Sequence, residues 1–248
     1  MQNRQKKSSH KKPKKIYSFD EANDRLYDLF RNHDFDFISH EVRQKLVQFY
    51  QILMTTQISE NFTRLVRFND IAIKHFIDSL IIDQLTPLHF PLMDVGTGAG
   101  FPGIPLQILR PDQEIYLVEG VKKRVDYLKK VRSQLELSNL KVIGRYMNLD
   151  FTYPTKGIVT RALTDIGYTL YLCSQSLQSG GYIYFMKGPG CGPEVKKARE
   201  LFKGDYKHLE TLEYKLPKTT HERSLVIFEK LQPIGPEKYH QNFLGARS

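Results

Sequence analysis

The chain has 248 residues, of which 40% are hydrophobic and 26% are charged. This length suits one large α/β domain with extensions, and the composition excludes collagen-like, coiled-coil and wholly disordered proteins. No run of about 18 apolar residues is present to form a transmembrane helix, and the first 16 residues lack the apolar stretch of a signal peptide. We therefore expect a cytoplasmic protein without membrane contact.

Most of the net charge of +10 lies in an N-terminal extension, because residues 1–15 carry seven basic side chains and no acidic one. A lysine-rich segment this poor in apolar side chains cannot bury enough surface to offset its chain entropy. We therefore predict a disordered basic tail over residues 1–16. Such tails commonly bind polyanions, and a role in solubility alone is the alternative.

Residues 17–88 are predicted to form helices that pack on a larger body. A capping-box spacing from Ser18 to Glu21 marks the start of the first helix, and Ser39 is placed to cap a second. The second helix carries an amphipathic apolar stripe between Val42 and Leu53. A third apolar face, over residues 73–81, is ended by Thr86–Pro87.

From residue 89 to residue 232, short apolar runs, such as residues 92–95 and 140–143, alternate with longer helical ones, such as residues 103–109. This alternation predicts an α/β fold with a mostly parallel sheet and helices on both faces. The last two β-rich runs, residues 208–216 and 224–231, are predicted to close the sheet as an antiparallel hairpin, which gives seven strands in all. Residues 233–248 are predicted to form a polar C-terminal tail.

A glycine-rich segment, residues 94–103, follows the first predicted strand and precedes its helix. Ligands of open α/β sheets bind at this edge, where glycines let the backbone approach them closely. The spacing Gly98-x-Gly100-x-x-Gly103 satisfies the dinucleotide fingerprint, and Glu119 follows at the distance of a ribose-binding acid. The glycine spacing alone therefore leaves a nicotinamide dinucleotide possible.

Two details favour S-adenosylmethionine over a nicotinamide dinucleotide. Pro102 and Pro105 lack N–H groups at the helix start, where a pyrophosphate needs them. Asp94, just before the first glycine, suits the cationic sulfonium and amino group of S-adenosylmethionine. A role as a strand-end cap remains open for Asp94.

Several motifs occur in a fixed order along the chain: Asn61–Phe62–Thr63, His75 with Asp78–Ser79–Leu80, the segment 94–105, Arg110–Pro111, Lys123–Arg124, Arg161–Ala162, Lys187–Gly188 and Glu222–Val226. Together they cover about residues 45–231, and this set resembles the ribosomal RNA small subunit methyltransferase G family, also called glucose-inhibited division protein B. The resemblance implies a class I S-adenosylmethionine-dependent methyltransferase fold with a Rossmann-like sheet. It also implies methyl transfer to N7 of a guanine in 16S ribosomal RNA, without a metal.

The resemblance implies site residues by position. The cofactor-binding set is Asp94, Gly96, Gly98, Phe101, Glu119, Tyr146, Met147 and Arg161. The set for RNA binding is Lys123, Arg145, Lys187 and Arg223, and Arg161 and Lys187 are the candidate catalytic residues. This chain departs from the family at Tyr146–Met147, where an acidic residue is usual, and at Phe101, where leucine is usual. The implied partner is 16S ribosomal RNA or a small-subunit precursor, bound by a monomer.

The implied reaction needs alignment rather than a base, because guanine N7 carries a lone pair and no proton. We therefore interpret His75, on an apolar helix face, as a packing residue rather than a general base. Two alternatives remain: a nicotinamide-dependent oxidoreductase and a non-catalytic RNA-binding assembly protein. The absence of a Tyr-x-x-x-Lys pair after the fourth predicted strand argues against the first alternative. The intact set of candidate site residues argues against the second alternative.

Overall fold

A seven-stranded sheet forms the centre of the computed structural model, which describes residues 10–244. Its strands are β1 (Leu92–Val95), β2 (Ile115–Val118), β3 (Leu140–Ile143), β4 (Thr155–Arg161), β5 (Leu177–Lys187), β6 (Tyr206–Lys215) and β7 (Glu222–Lys230). The order across the sheet is β3-β2-β1-β4-β5-β7-β6. Strands β1 to β5 pair in parallel, whereas β7 is antiparallel to both β5 and β6. This arrangement confirms the predicted parallel sheet with a closing hairpin.

The α-helices are α1 (Phe19–Asn32), α2 (His40–Gln57), α3 (Phe68–Ile71), α4 (Asp78–Leu80), α5 (Ile82–Leu85), α6 (Gly103–Leu109), α7 (Lys122–Gln134), α8 (Ile166–Leu172) and α9 (Gly192–Leu201). A π-helical segment, Ala72–Ile77, joins α3 to α4. The predicted caps form: the Ser18 hydroxyl accepts a hydrogen bond from the Glu21 amide, and the Ser39 hydroxyl accepts one from the Val42 amide. No helix within residues 10–244 is long and apolar enough to cross a membrane.

The two faces of the sheet are covered by different elements, because successive strand side chains point to opposite sides. The first face, with Val159 and Leu225, packs against α6, α7 and the helices of residues 19–85. The second face, with Ile158 and Val226, packs against α8, α9 and the C-terminal segment. The N-terminal helices therefore share one hydrophobic core with the sheet, and they lie against its first face.

Both predicted tails contact the rest of the protein where the structure describes them. In the described part of the predicted tail of residues 1–16, the Lys11 carbonyl accepts a hydrogen bond from Gln57 at 2.8 Å. Residues 1–9 of this tail lie outside the described residues, as do residues 245–248 of the predicted C-terminal tail. The rest of that tail packs on the second face: Ile234 and Tyr239 are buried, and a 3-10 helix (His240–Phe243) follows. These apolar side chains were too widely spaced to show an element in the sequence.

Candidate active site

A cavity of about 370 Å³ opens at the carboxyl ends of β1, β2 and β4. Residues from β1 and β2, from the segments that follow β1 to β4 and from α8 line it: Val95, Gly96, Val118, Glu119, Gly120, Val121, Arg124, Arg145, Tyr146, Met147, Ala162, Leu163, Thr164, Tyr168 and Leu172. We refer to this space as the cofactor cavity. It lies at the edge where open α/β sheets bind ligands.

Asp94, the last but one residue of β1, shapes the glycine turn over residues 96–103. Its carboxylate is fully buried, and Oδ2 accepts hydrogen bonds from the Gly103 amide at 2.7 Å and the Thr97 hydroxyl at 2.6 Å. A Cβ on residue 103 would lie only 2.8 Å from Oδ2 and 2.3 Å from Leu117, so this close approach requires glycine. Burial raises the pKa of Asp94 to about 6, and the Thr97 and Gly103 hydrogen bonds limit the rise.

The start of α6 offers no free donor for a pyrophosphate. The Gly103 amide donates to Asp94, the Ile104 amide to the Gly100 carbonyl, and the Leu106 amide to the Pro102 carbonyl. Pro105 has no N–H group. This pattern of occupied donors supports the sequence argument against a dinucleotide at the glycine turn.

Glu119 follows β2 and joins the glycine turn to the floor of the cofactor cavity. Its Oε2 accepts a hydrogen bond from the Gly98 amide at 3.1 Å, and its Oε1 accepts one from the Val121 amide at 2.9 Å. Arg124 lies 3.5 Å from Oε2. Glu119 is 5% exposed, so its negative charge is held in place beside the cavity.

The segment after β3 forms the opposite wall of the cofactor cavity. Arg145, Tyr146 and Met147 all line it, and only Met147 is buried. The Tyr146 ring covers Gly120 so closely that a Cβ there would lie 2.3 Å from the ring. The Arg145 guanidinium lies 5.5 Å from the centre of the Phe151 ring.

A short segment after β4, residues 162–165, covers the cavity near the glycine turn. A Cβ on Gly96 would lie 2.5 Å from Leu163, which packs directly over this glycine. Lys187, at the end of β5, donates to the Thr164 carbonyl at 2.8 Å and to Glu194 at 2.9 Å. The same Glu194 oxygen accepts a hydrogen bond from the Ile166 amide. Lys187 and Glu194 therefore hold the carboxyl end of this covering segment.

Arg161, at the end of β4, is held on the first face of the sheet by three groups. It donates to the Lys74 carbonyl and to Asp78, both at 3.2 Å, and to His75 Nδ1 at 3.1 Å. The other carboxylate oxygen of Asp78 accepts a hydrogen bond from Arg223 at 3.0 Å. Asp78 is 3% exposed, so one buried carboxylate fixes two candidate site arginines.

The predicted site residues thus fall into separate groups. Gly96, Glu119, Arg145, Tyr146 and Met147 meet at the cofactor cavity, with Asp94 and Gly98 in the adjoining turn. Arg161 and Arg223 meet at Asp78. Lys187 lies on the opposite face of the sheet from Arg161, and Lys123 is a 73% exposed side chain beside Glu60.

Phe101 lies in the core instead of lining the cavity. Its ring stacks on His75, with ring centres 4.1 Å apart and an angle of 9° between the planes, and it contacts Phe49 at 5.1 Å. Phe101 is 4% exposed. The structure therefore places this predicted cofactor-binding residue outside the lining of the cavity.

Sequence reasoning missed three kinds of residue at this site. Asp78 lies in the Asp78–Ser79–Leu80 motif, but only the structure shows that its carboxylate fixes both Arg161 and Arg223. Arg124 lies in the Lys123–Arg124 motif, and the structure places it in the lining of the cavity beside Glu119, a position that the sequence did not predict. Leu163 and Thr164 carried no sequence signal, because their contribution depends on the path of the chain after β4.

The cofactor cavity fits S-adenosylmethionine in size and chemistry. Its volume is in the range of about 300–1,000 Å³ that small-molecule sites occupy. Glu119 supplies a carboxylate that can accept hydrogen bonds from ribose hydroxyls, and Val118, Met147 and Leu163 supply apolar walls. In the turn beside it, Asp94 Oδ1 is buried without a hydrogen-bond partner among the described residues. No cluster of three or more metal-ligating side chains occurs between residues 10 and 244.

The sheet order, the glycine turn after β1 and the acidic residue after β2 define a class I S-adenosylmethionine-dependent methyltransferase. A protein-family model described as rRNA small subunit methyltransferase G matches residues 42–226. The chain belongs to this family.

Two relatives of similar sequence agree with this assignment. Ribosomal RNA small subunit methyltransferase G 2 of Bdellovibrio bacteriovorus is 55% identical over 223 residues, which cover 90% of this chain and 88% of that protein. Ribosomal RNA small subunit methyltransferase G of Carboxydothermus hydrogenoformans is 36% identical, and the match covers 82% of this chain and 88% of that protein. Among solved structures, geranyl diphosphate C-methyltransferase of Streptomyces coelicolor has a TM-score of 0.49 at 12% identity, over 62% of this chain and 78% of that one.

Proposed function

We propose that this protein transfers a methyl group from S-adenosylmethionine to N7 of a guanine in 16S ribosomal RNA and releases S-adenosylhomocysteine. The observation that carries the proposal is the cofactor cavity with Glu119 beside the glycine turn, in a chain of this family. We also propose that the protein acts as a monomer in the cytoplasm, without a metal, on the RNA or a small-subunit precursor.

The cavity residues would hold the cofactor. Glu119 would accept hydrogen bonds from the ribose, Tyr146 and Met147 would border the adenine, and the turn containing Gly96 and Gly98 would let the backbone approach. The cofactor, when bound, supplies an activated methyl group on a cationic sulfonium. The buried carboxylate of Asp94, just before the glycine turn, would help to offset that positive charge, because Coulomb attraction is stronger where water is excluded.

The protein groups orient the RNA and do not remove a proton from it. Guanine N7 needs no general base, and His75 is engaged by Arg161 and Thr63. Arg161 and Arg223 present fixed positive charge at the carboxyl edge of the parallel strands, beside the cofactor cavity, and we call this edge the cleft. Lys123 and Arg145 add further contacts with RNA. Lys187 acts as a positioning residue through the segment that covers the cavity.

The test of cofactor choice is calorimetry with S-adenosylmethionine, S-adenosylhomocysteine and NAD. We expect the first two to bind and NAD not to compete. Glu119→Ala should weaken binding by about 1.5–3 kcal/mol, the range for hydrogen bonds to a charged group. Glu114→Ala, which removes a carboxylate just before the other end of β2, is the matched control and should bind like the unmodified protein. Tight NAD binding with no binding of S-adenosylmethionine would refute the proposal.

The test of the RNA product is mass spectrometry of small-subunit RNA from cells with and without the gene. We expect one methylated guanine to lose its N7 methyl group when the gene is absent, and the purified protein to restore it. Unchanged RNA in both cells would contradict the proposed substrate.

A further inference from the structure

A basic groove of about 720 Å³ lies between the N-terminal segment and the start of α3. Its exposed cations include Lys11, Lys12 and Lys14 from the N-terminal segment and Arg67, the residue before α3. We call these four side chains the N-terminal basic surface. The three lysines precede residue 42, where the match to the family model begins, so they are an addition to the family core.

The positive charge of this surface is not neutralised by neighbouring acids. Within residues 10–244, none of its four cations has a carboxylate within 4.0 Å. The nearby acids are occupied elsewhere: Glu21 pairs with Lys15 and Arg25, and Asp70 pairs with Lys74. The groove therefore presents unpaired cations to solvent, and such a surface attracts polyanions.

Gln57, at the end of α2, fixes the backbone that carries these lysines. Its side chain is fully buried, and Nε2 donates to the carbonyl groups of Lys11 and Thr63 at 2.8 and 2.9 Å. Its Oε1 accepts hydrogen bonds from the amides of Phe62 and Thr63. His10 adds a second contact, from its Nε2 to the Gln57 carbonyl oxygen at 2.8 Å. The basic segment is thus held by the same side chain that orders residues 62 and 63.

A chain of hydrogen bonds leads from this contact to the cleft. The Thr63 hydroxyl lies 3.0 Å from His75 Nε2, and His75 Nδ1 accepts a hydrogen bond from Arg161. Arg67 immediately precedes the helical stretch that carries His75 eight residues later, a separation of roughly 12 Å along the helix axis. The basic surface therefore lies beside the N-terminal helices, and this hydrogen-bonded chain connects it to the edge that carries Arg161 and Arg223.

We infer that the N-terminal basic surface binds the phosphate backbone of the RNA whose guanine enters the cleft. This inference rests on the proposed function, and it adds a sequence-independent contact outside the methyltransferase cleft. Phosphate contacts position a nucleic acid without reading its sequence. The surface therefore increases affinity for RNA in general, and the cleft selects the base.

The test is a quadruple variant, Lys11→Gln, Lys12→Gln, Lys14→Gln and Arg67→Gln, in the full chain. Binding to polyuridylate and to 16S ribosomal RNA is measured as a function of salt. The slope of log affinity against log salt should fall by about 0.7 for each phosphate of single-stranded RNA that the variant no longer binds. Affinity for both RNAs should fall by about tenfold or more near physiological salt, whereas affinity for S-adenosylmethionine should not change.

The charge-matched control is Lys196→Gln, Arg199→Gln, Lys203→Gln and Lys207→Gln. These cations line a groove at the amino end of β5, at the opposite end of the sheet from the cleft. The control should keep the slope of the unmodified protein. An unchanged slope in the first variant, or an equal reduction in the control, would overturn the inference.

Polyuridylate separates this inference from the proposed function, because it contains no guanine. If the unmodified protein methylates 16S ribosomal RNA but the first variant binds both RNAs normally, the inference alone fails. If the protein methylates no RNA but polyuridylate binding is weakened only in the first variant, the proposed function fails and the surface remains an RNA-binding surface.

Discussion

His75 illustrates how a single polar side chain can belong to a catalytic domain without acting as a base. Its Nδ1 accepts a hydrogen bond from Arg161, so the ring proton of the neutral form lies on Nε2 and is donated to the Thr63 hydroxyl. Burial away from water and the positive charge of Arg161 lower the pKa of His75 well below its usual value. The ring is therefore held neutral in the folded protein.

This neutral state predicts a particular dependence of stability on pH. The unfolded chain protonates His75 near pH 6.5, whereas the folded protein does not, so stability is present above that pH and is lost as the pH falls below it. The loss approaches about 1.4 kcal/mol per pH unit for one group. We expect His75→Gln to lose less stability than the unmodified protein between pH 7 and pH 5 in urea unfolding experiments.

The comparison isolates His75 because the contribution of Asp94 to the pH dependence, which has the opposite sign, is present in both proteins. Burial raises the pKa of Asp94 to about 6, so the folded state binds that proton more readily than the unfolded chain does. His40→Gln, which changes an exposed histidine at the start of α2, controls for removal of a histidine. Parallel pH profiles for the unmodified protein and His75→Gln would contradict a neutral His75.

Among the elements, the segment of residues 162–165 depends on contacts from two others. Lys187 at the end of β5 holds the Thr164 carbonyl, and Glu194 in α9 holds the Ile166 amide. Lys187 and Glu194 also pair with each other at 2.9 Å. This arrangement makes the position of Leu163 over Gly96 sensitive to residues that do not touch the cavity.

We predict that Lys187→Met and Glu194→Gln have similar effects. Each should weaken S-adenosylmethionine binding by about 1.5 kcal/mol or more, the effect of removing a hydrogen bond to a charged group, and should leave the salt slope of RNA binding unchanged. Calorimetry and salt titration measure the two effects. Lys196→Met, an exposed change in α9, is the control for removal of a lysine. A slope reduced by about 0.7 in Lys187→Met alone would show instead that Lys187 contacts phosphate.

Much of the element pattern could be predicted because local signals fix it. The bounds predicted for β1, α6 and β3 coincide with those observed, since glycines and prolines delimit short apolar runs there. The positions of Gly96 and Glu119 followed from the same signals, because residues at the carboxyl ends of adjacent parallel strands meet at one edge.

Other features could not be predicted because they depend on which face each side chain occupies. Arg161 and Lys187 both end parallel strands, but Val159 and Arg161 point to the first face and Phe185 and Lys187 to the second. Similarly, a glycine-rich sequence does not show that the ring of Phe101 turns into the core. Each of these depends on packing between elements that are distant in sequence.

At the scale of the whole molecule, the C-terminal segment stabilises the second face. The Tyr239 ring lies 4.4 Å from the Phe202 ring, and Phe243 stacks on Tyr171 with ring centres 4.9 Å apart. Asp205 is fully buried and accepts hydrogen bonds from Tyr239 and Gln232. Tyr239 and Phe243 lie after residue 232, where the sequence predicted only a polar tail.

We predict that truncation after Gln232 destabilises the protein without changing its cofactor affinity. Removing Ile234, Tyr239 and Phe243 exposes the apolar surface they cover, and each buried side chain of this kind contributes about 1.5–3 kcal/mol. A decrease of at least about 3 kcal/mol in the free energy of unfolding should lower the melting temperature by roughly 6–12 °C in a chain of this size. Truncation after Leu244 is the control. A change of less than about 2 °C after Gln232 would refute a stabilising role.

The position of Asp78 also constrains when the site can form during synthesis. Its two arginine partners follow it by 83 and 145 residues in the chain. The second, Arg223, lies in the last strand, which inserts between β5 and β6. In a nascent chain that stops before this strand, Asp78 lacks its ion pair with Arg223 and keeps only its partner Arg161. The arginine pair is therefore complete only once nearly the whole chain has been translated, so an unfinished product lacks this part of the candidate site.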